Sequence, residues 1–188
     1  MDSTLNFDSQ WQKIEEKLKS EDIPLHFEDS LTIGTNSISI LVEVDPGGGF
    51  EGGYELTSVT AAVPVQFTSI SADIKNDTDE FTFSVHDEGL LDRVGKFFGM
   101  QDVKMGDEDF DKNIIVKTND PERTKQIFED PEVRNVFKDL KYFSFQIEND
   151  SDNVKTLEFL MDKAVANSGE LKKIVHAFVK VYNRLMLQ

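Results

Sequence analysis

With 188 residues, 38% hydrophobic side chains and 15 Phe, the chain is long and apolar enough to close a core, as one domain or as two small halves sharing it. Acids outnumber bases 36 to 20, a formal charge of −16, and the scattered Lys and Arg form no stripe that could displace counterions from a nucleic acid. There is no Cys, and no apolar run approaches the ~20 residues of a membrane span, so disulfide scaffolds, thiolate chemistry, disorder and a spanning helix are excluded.

Phe7, Trp11, Ile14 and Leu18 recur at helical spacing and predict a short amphipathic helix over 7–20. Its apolar stripe is narrow, which suits packing at an edge, and Ser9 with Gln12 has the spacing of a capping box, though the start could lie two residues earlier. Residues 31–85 read as strands. Ile38, Ile40, Val42 and Val44 alternate with more polar neighbours, and Pro46-Gly47-Gly48-Gly49-Phe50-Glu51-Gly52-Gly53 then breaks any regular structure. β-Branched residues resume over 54–74, with Pro64 marking a bulge or edge, and Asn76-Asp77-Thr78-Asp79 turns the chain. Phe81, Phe83 and Val85 alternate with Thr82 and Ser84, one face buried and one wet.

The period then changes to that of a helix at Leu90, Leu91, Val94, Phe97 and Phe98, ending near Gly99. A loop or short strand precedes a strand over 113–117. Asp120-Pro121-Glu122 and Asp130-Pro131-Glu132 each offer an N-cap, a first-turn Pro and an acid at the positive end of the dipole, so two helices start ten residues apart. Val133, Val136, Phe137 and Leu140 supply the second one's buried face. Phe143, Phe145 and Ile147 make another strand, 149–153 a turn, and 155–163 a returning strand. Leu171, Ile174, Val175, Phe178, Val181, Tyr182 and Leu185 trace a full apolar face on the last helix, with Asn167 and Glu170 at its start. Partly segregated strands and helices give an α+β fold: antiparallel sheet packed by an N-terminal helix, a central helix, a helix pair and a long C-terminal helix. The similar strands at 81–85 and 143–147 hint at two related halves, about 1–100 and 101–188.

The side chains that could carry chemistry are few. A phosphate cradle needs a helix N-terminus and usually a Lys after its glycines, and segment 46–53 has neither; it reads as a loop or mobile flap, with Gly48 and Phe50 as candidate binding residues. Asp107, Asp109 and Asp111 imitate the opening of a calcium loop, but Lys112 and Thr118 stand where that loop needs Gly and Glu. These carboxylates read as solvated turn residues, and no metal or cofactor is expected. Of His26, His86 and His176, only His86-Asp87-Glu88 sets an imidazole beside acids at a strand end, the best available approximation to a general base. Trp11 and Tyr182 are the candidate anchors for a partner.

Gly89-Leu90-Leu91-Asp92-Arg93-Val94-Gly95-Lys96-Phe97-Phe98-Gly99-Met100-Gln101-Asp102 leads into Gly106-Asp107 and Phe110-Asp111, then into Asp120-Pro121-Glu122 and Pro131-Glu132-Val133-Arg134. This order resembles a group of uncharacterised bacterial proteins with a Gly-Asp-x-x-Phe-Asp strand segment followed by Asp-Pro-Glu and Pro-Glu-Val-Arg helix starts. Gly52-Gly53-Tyr54-Glu55-Leu56-Thr57 belongs to the same pattern, so the likeness spans roughly 50–188. It implies a related α+β fold and a bacterial source, and it implies no reaction.

The expectation is a non-enzymatic, soluble, cytoplasmic domain that binds another protein or serves regulation. A cysteine-free acidic chain suits a reducing compartment, and its first residues lack the pattern of a signal peptide. The alternative is an enzyme or small-ligand domain with a site near His86 and segment 46–53. A third reading, an acidic surface mimicking nucleic acid, requires a basic partner.

Overall fold

The computed structural model describes residues 3–20, 26–45, 65–74, 80–87, 100–149 and 155–187. Helix α1 (Ser3–Ser20) leads to strands β1 (His26–Ile33), β2 (Asn36–Asp45), β3 (Val65–Ile74) and β4 (Phe83–Asp87). Next come β5 (Gln101–Asp102), α2 (Glu108–Asn113), β6 (Ile114–Thr118), α3 (Pro121–Ile127) and α4 (Pro131–Phe137). The chain closes with β7 (Phe143–Asn149), β8 (Lys155–Met161) and α5 (Ser168–Met186). The expected glycine loop, the helix over 90–98 and the turn at 76–79 lie outside the described residues.

The eight strands of the described residues form one antiparallel sheet in the order β1-β2-β3-β8-β7-β4-β6-β5. The fold is therefore α+β. The C-terminal hairpin β7–β8 enters between β3 and β4, joining the N-terminal meander to the rest. The two strands that look alike in sequence are neighbours, with Val85 opposite Phe145.

Period-two patterning puts the large apolar side chains on one face. Phe27, Leu31, Ile38, Ile40, Val42, Ile70, Phe159, Phe145, Val85 and Val116 run across it from one edge to the other, all buried. The helices cover this face. Phe137 of α4 packs within 5.0–6.2 Å of Phe143, Phe145 and Phe159, Phe178 of α5 lies 5.6 Å from Phe145, and Phe128 at the end of α3 meets Phe83 edge-on. Each such Phe removed from water contributes about 1.5–3 kcal/mol. That is why an acidic chain without cross-links holds a large sheet.

The helix starts follow the sequence closely. Asp120 accepts from Arg123 N–H at 3.1 Å, Asp130 from Glu132 N–H at 2.9 Å and Asn167 from Glu170 N–H at 2.9 Å. Three local expectations change. Helix α1 begins at Ser3, so Ser9 is inside it and its hydroxyl bonds back to the Asn6 carbonyl at 3.1 Å rather than capping. The Gly-Asp-x-x-Phe-Asp segment is a helix, not a strand: Asp107 caps α2 by accepting from Phe110 N–H, and Phe110 is buried. Strand β4 has no wet face, because all five of its residues are buried.

Candidate functional site

Strand β4 lies between β6 and β7, two strands in from the short edge strand β5. Alternation sends Phe83, Val85 and Asp87 to the helical face and Ser84 with His86 to the other. Both Ser84 and His86 are fully buried. His86 Nδ1 lies 3.1 Å from the Asp87 carbonyl oxygen. A carbonyl only accepts, so Nδ1 carries the proton and Nε2 bears the lone pair. That Nε2 and the Ser84 hydroxyl are the two buried side-chain polar atoms without a hydrogen-bond partner among the described residues. Burial holds the imidazole below its ordinary pKa, helped by the charge of Lys117, so His86 is neutral at physiological pH.

Cross-strand register supplies the surroundings. His86 stands opposite Ser144 on β7 and Ile115 on β6, and Ser84 opposite Gln146 and Lys117. One strand further, Gln146 faces Glu158 of β8 and donates to the Glu148 carboxylate at 2.5 Å. Burial and the neighbouring Glu148 charge push the Glu158 carboxyl up. Lys117 reaches Asp102 on β5 at 3.9 Å. The result is a band of hydroxyls, an amide, carboxylates and one neutral imidazole, which can offer hydrogen bonds to a small polar group. Ser84, Ser144, Gln146 and Glu158 did not stand out in the sequence. The alternation of Ser84 with Phe83 and Val85 was the available signal, and it could not reveal which residues the neighbouring strands would place alongside.

The carboxylate beside His86 in sequence makes no hydrogen bond to its ring. Asp87 points to the helical face, 3% exposed, and accepts from Phe143 N–H at 3.2 Å. Glu88, Gly48 and Phe50 lie outside the described residues. Trp11 is 2% exposed and stacks on Phe7 with ring centroids 6.1 Å apart, so its ring belongs to the α1 core stripe rather than to a surface rim. Tyr182 is equally buried, its hydroxyl donating to the Asp73 carbonyl at 2.9 Å.

The other candidates are absorbed by the fold. Asp111 accepts from Met105 and Gly106 N–H at 2.8 and 2.9 Å, and Arg134 pairs with Asp107 at 3.4 Å, so these carboxylates fasten the turn before α2. Among the described residues no group of three or more His, Asp or Glu is placed to hold a metal ion. His26 bonds Glu43 across the β1–β2 pair. His176 lies 5.1 Å from the Phe7 ring and lines two shallow clefts with Lys173, one against α1 and one against α4. Among the described residues the exposed large hydrophobics are Tyr142, Met186 and Leu187, and no helix is long and apolar enough to cross a membrane. Comparison with family models, with curated proteins and with solved structures finds no match for the chain.

Proposed function

We propose that this chain is a non-enzymatic protein-interaction or regulatory domain of a bacterial protein, working in the cytoplasm. One observation carries the reading: the acid and the base adjacent in sequence are split between the two faces of the sheet. General-base catalysis needs a carboxylate orienting the imidazole and a nucleophile hydrogen-bonded to it. His86 instead takes its orientation from a backbone carbonyl, Asp87 binds a backbone N–H on the far side, and the Ser84 hydroxyl makes no bond to the ring. The formal charge of −16 favours a partner with a basic surface, since complementary charge speeds encounter and suppresses wrong partners. The absence of Cys supports a reducing compartment.

The unpartnered His86 Nε2 and Ser84 hydroxyl favour a second reading, a non-catalytic site for a small polar ligand. One experiment separates the two. The immobilised chain is exposed to lysate of its source organism, and any retained protein is purified and remixed with it. A one-to-one complex by light scattering, unchanged by His86→Ala, supports the interaction reading. A small molecule found by native mass spectrometry and lost in His86→Ala overturns it in favour of the second, and failure to retain any protein also counts against it.

A further inference from the structure

Strand β1 forms one edge of the sheet, and its outward backbone groups are met in an unusual way. The two-residue loop Gly34-Thr35 joins Ile33 to Asn36, with Gly34 at φ 62°, and this sets the register. Odd-numbered residues of β1 then bond inward to β2, while Glu28, Ser30 and Thr32 present N–H and C=O to the outside. Gln10 of α1 takes both groups of Thr32: its Oε1 accepts from Thr32 N–H at 2.7 Å and its Nε2 donates to Thr32 C=O at 3.0 Å. A side-chain amide thus makes the two bonds that one facing residue of a neighbouring antiparallel strand would make. Lys17, two turns further along α1, donates to the Glu28 carbonyl, lies 3.6 Å from the Asp29 carboxylate and sits over the Phe27 ring. Ser30 N–H is taken by the Asp29 carboxylate at 2.7 Å.

Helix α1 itself is fixed by Phe7, Trp11, Ile14 and Leu18, all buried on the helical face. The side chains of Gln10 and Lys17 supply the bonds that α1 makes to the outward groups of Thr32 and Glu28. Edge strands left open pair readily with any extended chain, and proteins either block them or use them. What α1 lays on the edge is a peptide-like amide and a cation, beside a strand carrying Glu28 and Asp29 and a neighbour carrying Glu43.

We propose that the β1 edge is a docking strand for an extended segment of a partner protein bearing a basic residue, and that Gln10 and Lys17 hold it closed until that segment arrives. The incoming backbone replaces the Gln10 amide at Thr32, and its Lys or Arg replaces Lys17 at Asp29. This rests on the interaction reading above and names the surface and the chemistry of the partner. A second copy of the chain is the poorer occupant, because two copies each of charge −16 would meet through acidic edges.

The test uses the full chain, a Gln10→Leu/Lys17→Met double variant and a short acetylated peptide of alternating Thr and Val with a central Lys. In the variant the Thr32 amide exchanges with solvent about tenfold faster, the peptide binds about tenfold more tightly than to the native chain, and bound peptide restores protection at Thr32. A peptide with Glu in place of Lys binds no better than to the native chain. Faster exchange at Thr32 without peptide binding overturns the proposal and leaves Gln10 and Lys17 as guards against aggregation; it leaves the interaction reading standing on another surface. Dimerisation of the variant through β1 overturns the choice of partner. Should the double variant fail to fold, Gln10→Glu keeps the acceptor for Thr32 N–H, loses the donor, and gives a smaller gain in the same direction.

Discussion

At strand β4 the two faces of the sheet are equally buried but chemically opposite. On the helical side Phe83 packs on Phe145 of β7 and on Phe128 at the end of α3, Val85 stands opposite Phe145, and Asp87 is held by Phe143 N–H. On the other side Ser84 and His86 are just as enclosed, yet each leaves a polar atom without a partner. The first face stabilises the fold through apolar contact; the second carries desolvation cost. A sheet can hold such an orphan pair only because its other face is packed so densely. The difference separates the face that stabilises the fold from the face that carries unpaired polar groups.

The sharpest break of that comparison is Phe145→Ala. Phe145 touches Phe83, Phe128, Phe137, Phe159 and Phe178 at 5.0–6.4 Å, so its loss leaves a cavity at the centre of the core. Denaturant titration should show a loss of about 3–5 kcal/mol. Gln146→Ala, one residue along and facing the other way, should cost under about 1.5 kcal/mol in the same titration.

Relieving the orphans should act in the reverse direction. His86→Leu should gain less than about 1 kcal/mol at neutral pH, since removing the unpaired buried nitrogen outweighs losing the one Nδ1–H bond to the Asp87 carbonyl. It should also flatten part of the acid limb of the stability curve. The folded-state pKa of His86 is depressed below its ordinary 6.5, so the unfolded chain binds the proton first. His86 therefore lowers stability as pH falls below about 6.5, and the Leu variant loses that slope. A variant as steep as the native chain would show that the ring is not enclosed as described.

The smallest effect belongs to Glu158 on the same face. Its folded pKa is raised, so the native state holds the proton longer than the unfolded chain does, and stability falls as pH rises above the ordinary 4.5 toward the folded value. Glu158→Gln should abolish that decline and gain a few tenths of a kcal/mol at neutral pH, chiefly by removing a desolvated carboxylate and then its repulsion from Glu148. His86 and Glu158 thus tilt the pH profile in opposite senses from the two strands that flank β7.

Local physics wrote much of this protein directly into its sequence. Asp120, Asp130 and Asn167 cap helices because a short polar side chain before a first turn satisfies its N–H groups wherever the rest of the chain goes. The apolar face of α5 and the alternation of β2 and β7 are periodicities that need no partner to be read. The α2 segment was misread as strand because one turn of helix holding a single buried Phe110 has no period to detect. Tertiary structure alone decided which residues became neighbours. Strand pairing set Ser84 and His86 beside Ser144 and Gln146, turned Asp87 away from the imidazole beside it in sequence, and brought Gln10 to Thr32 across 22 residues. Register and helix docking are fixed by the whole buried surface at once, so the polar groups that finish in one place share no spacing along the chain that could announce it.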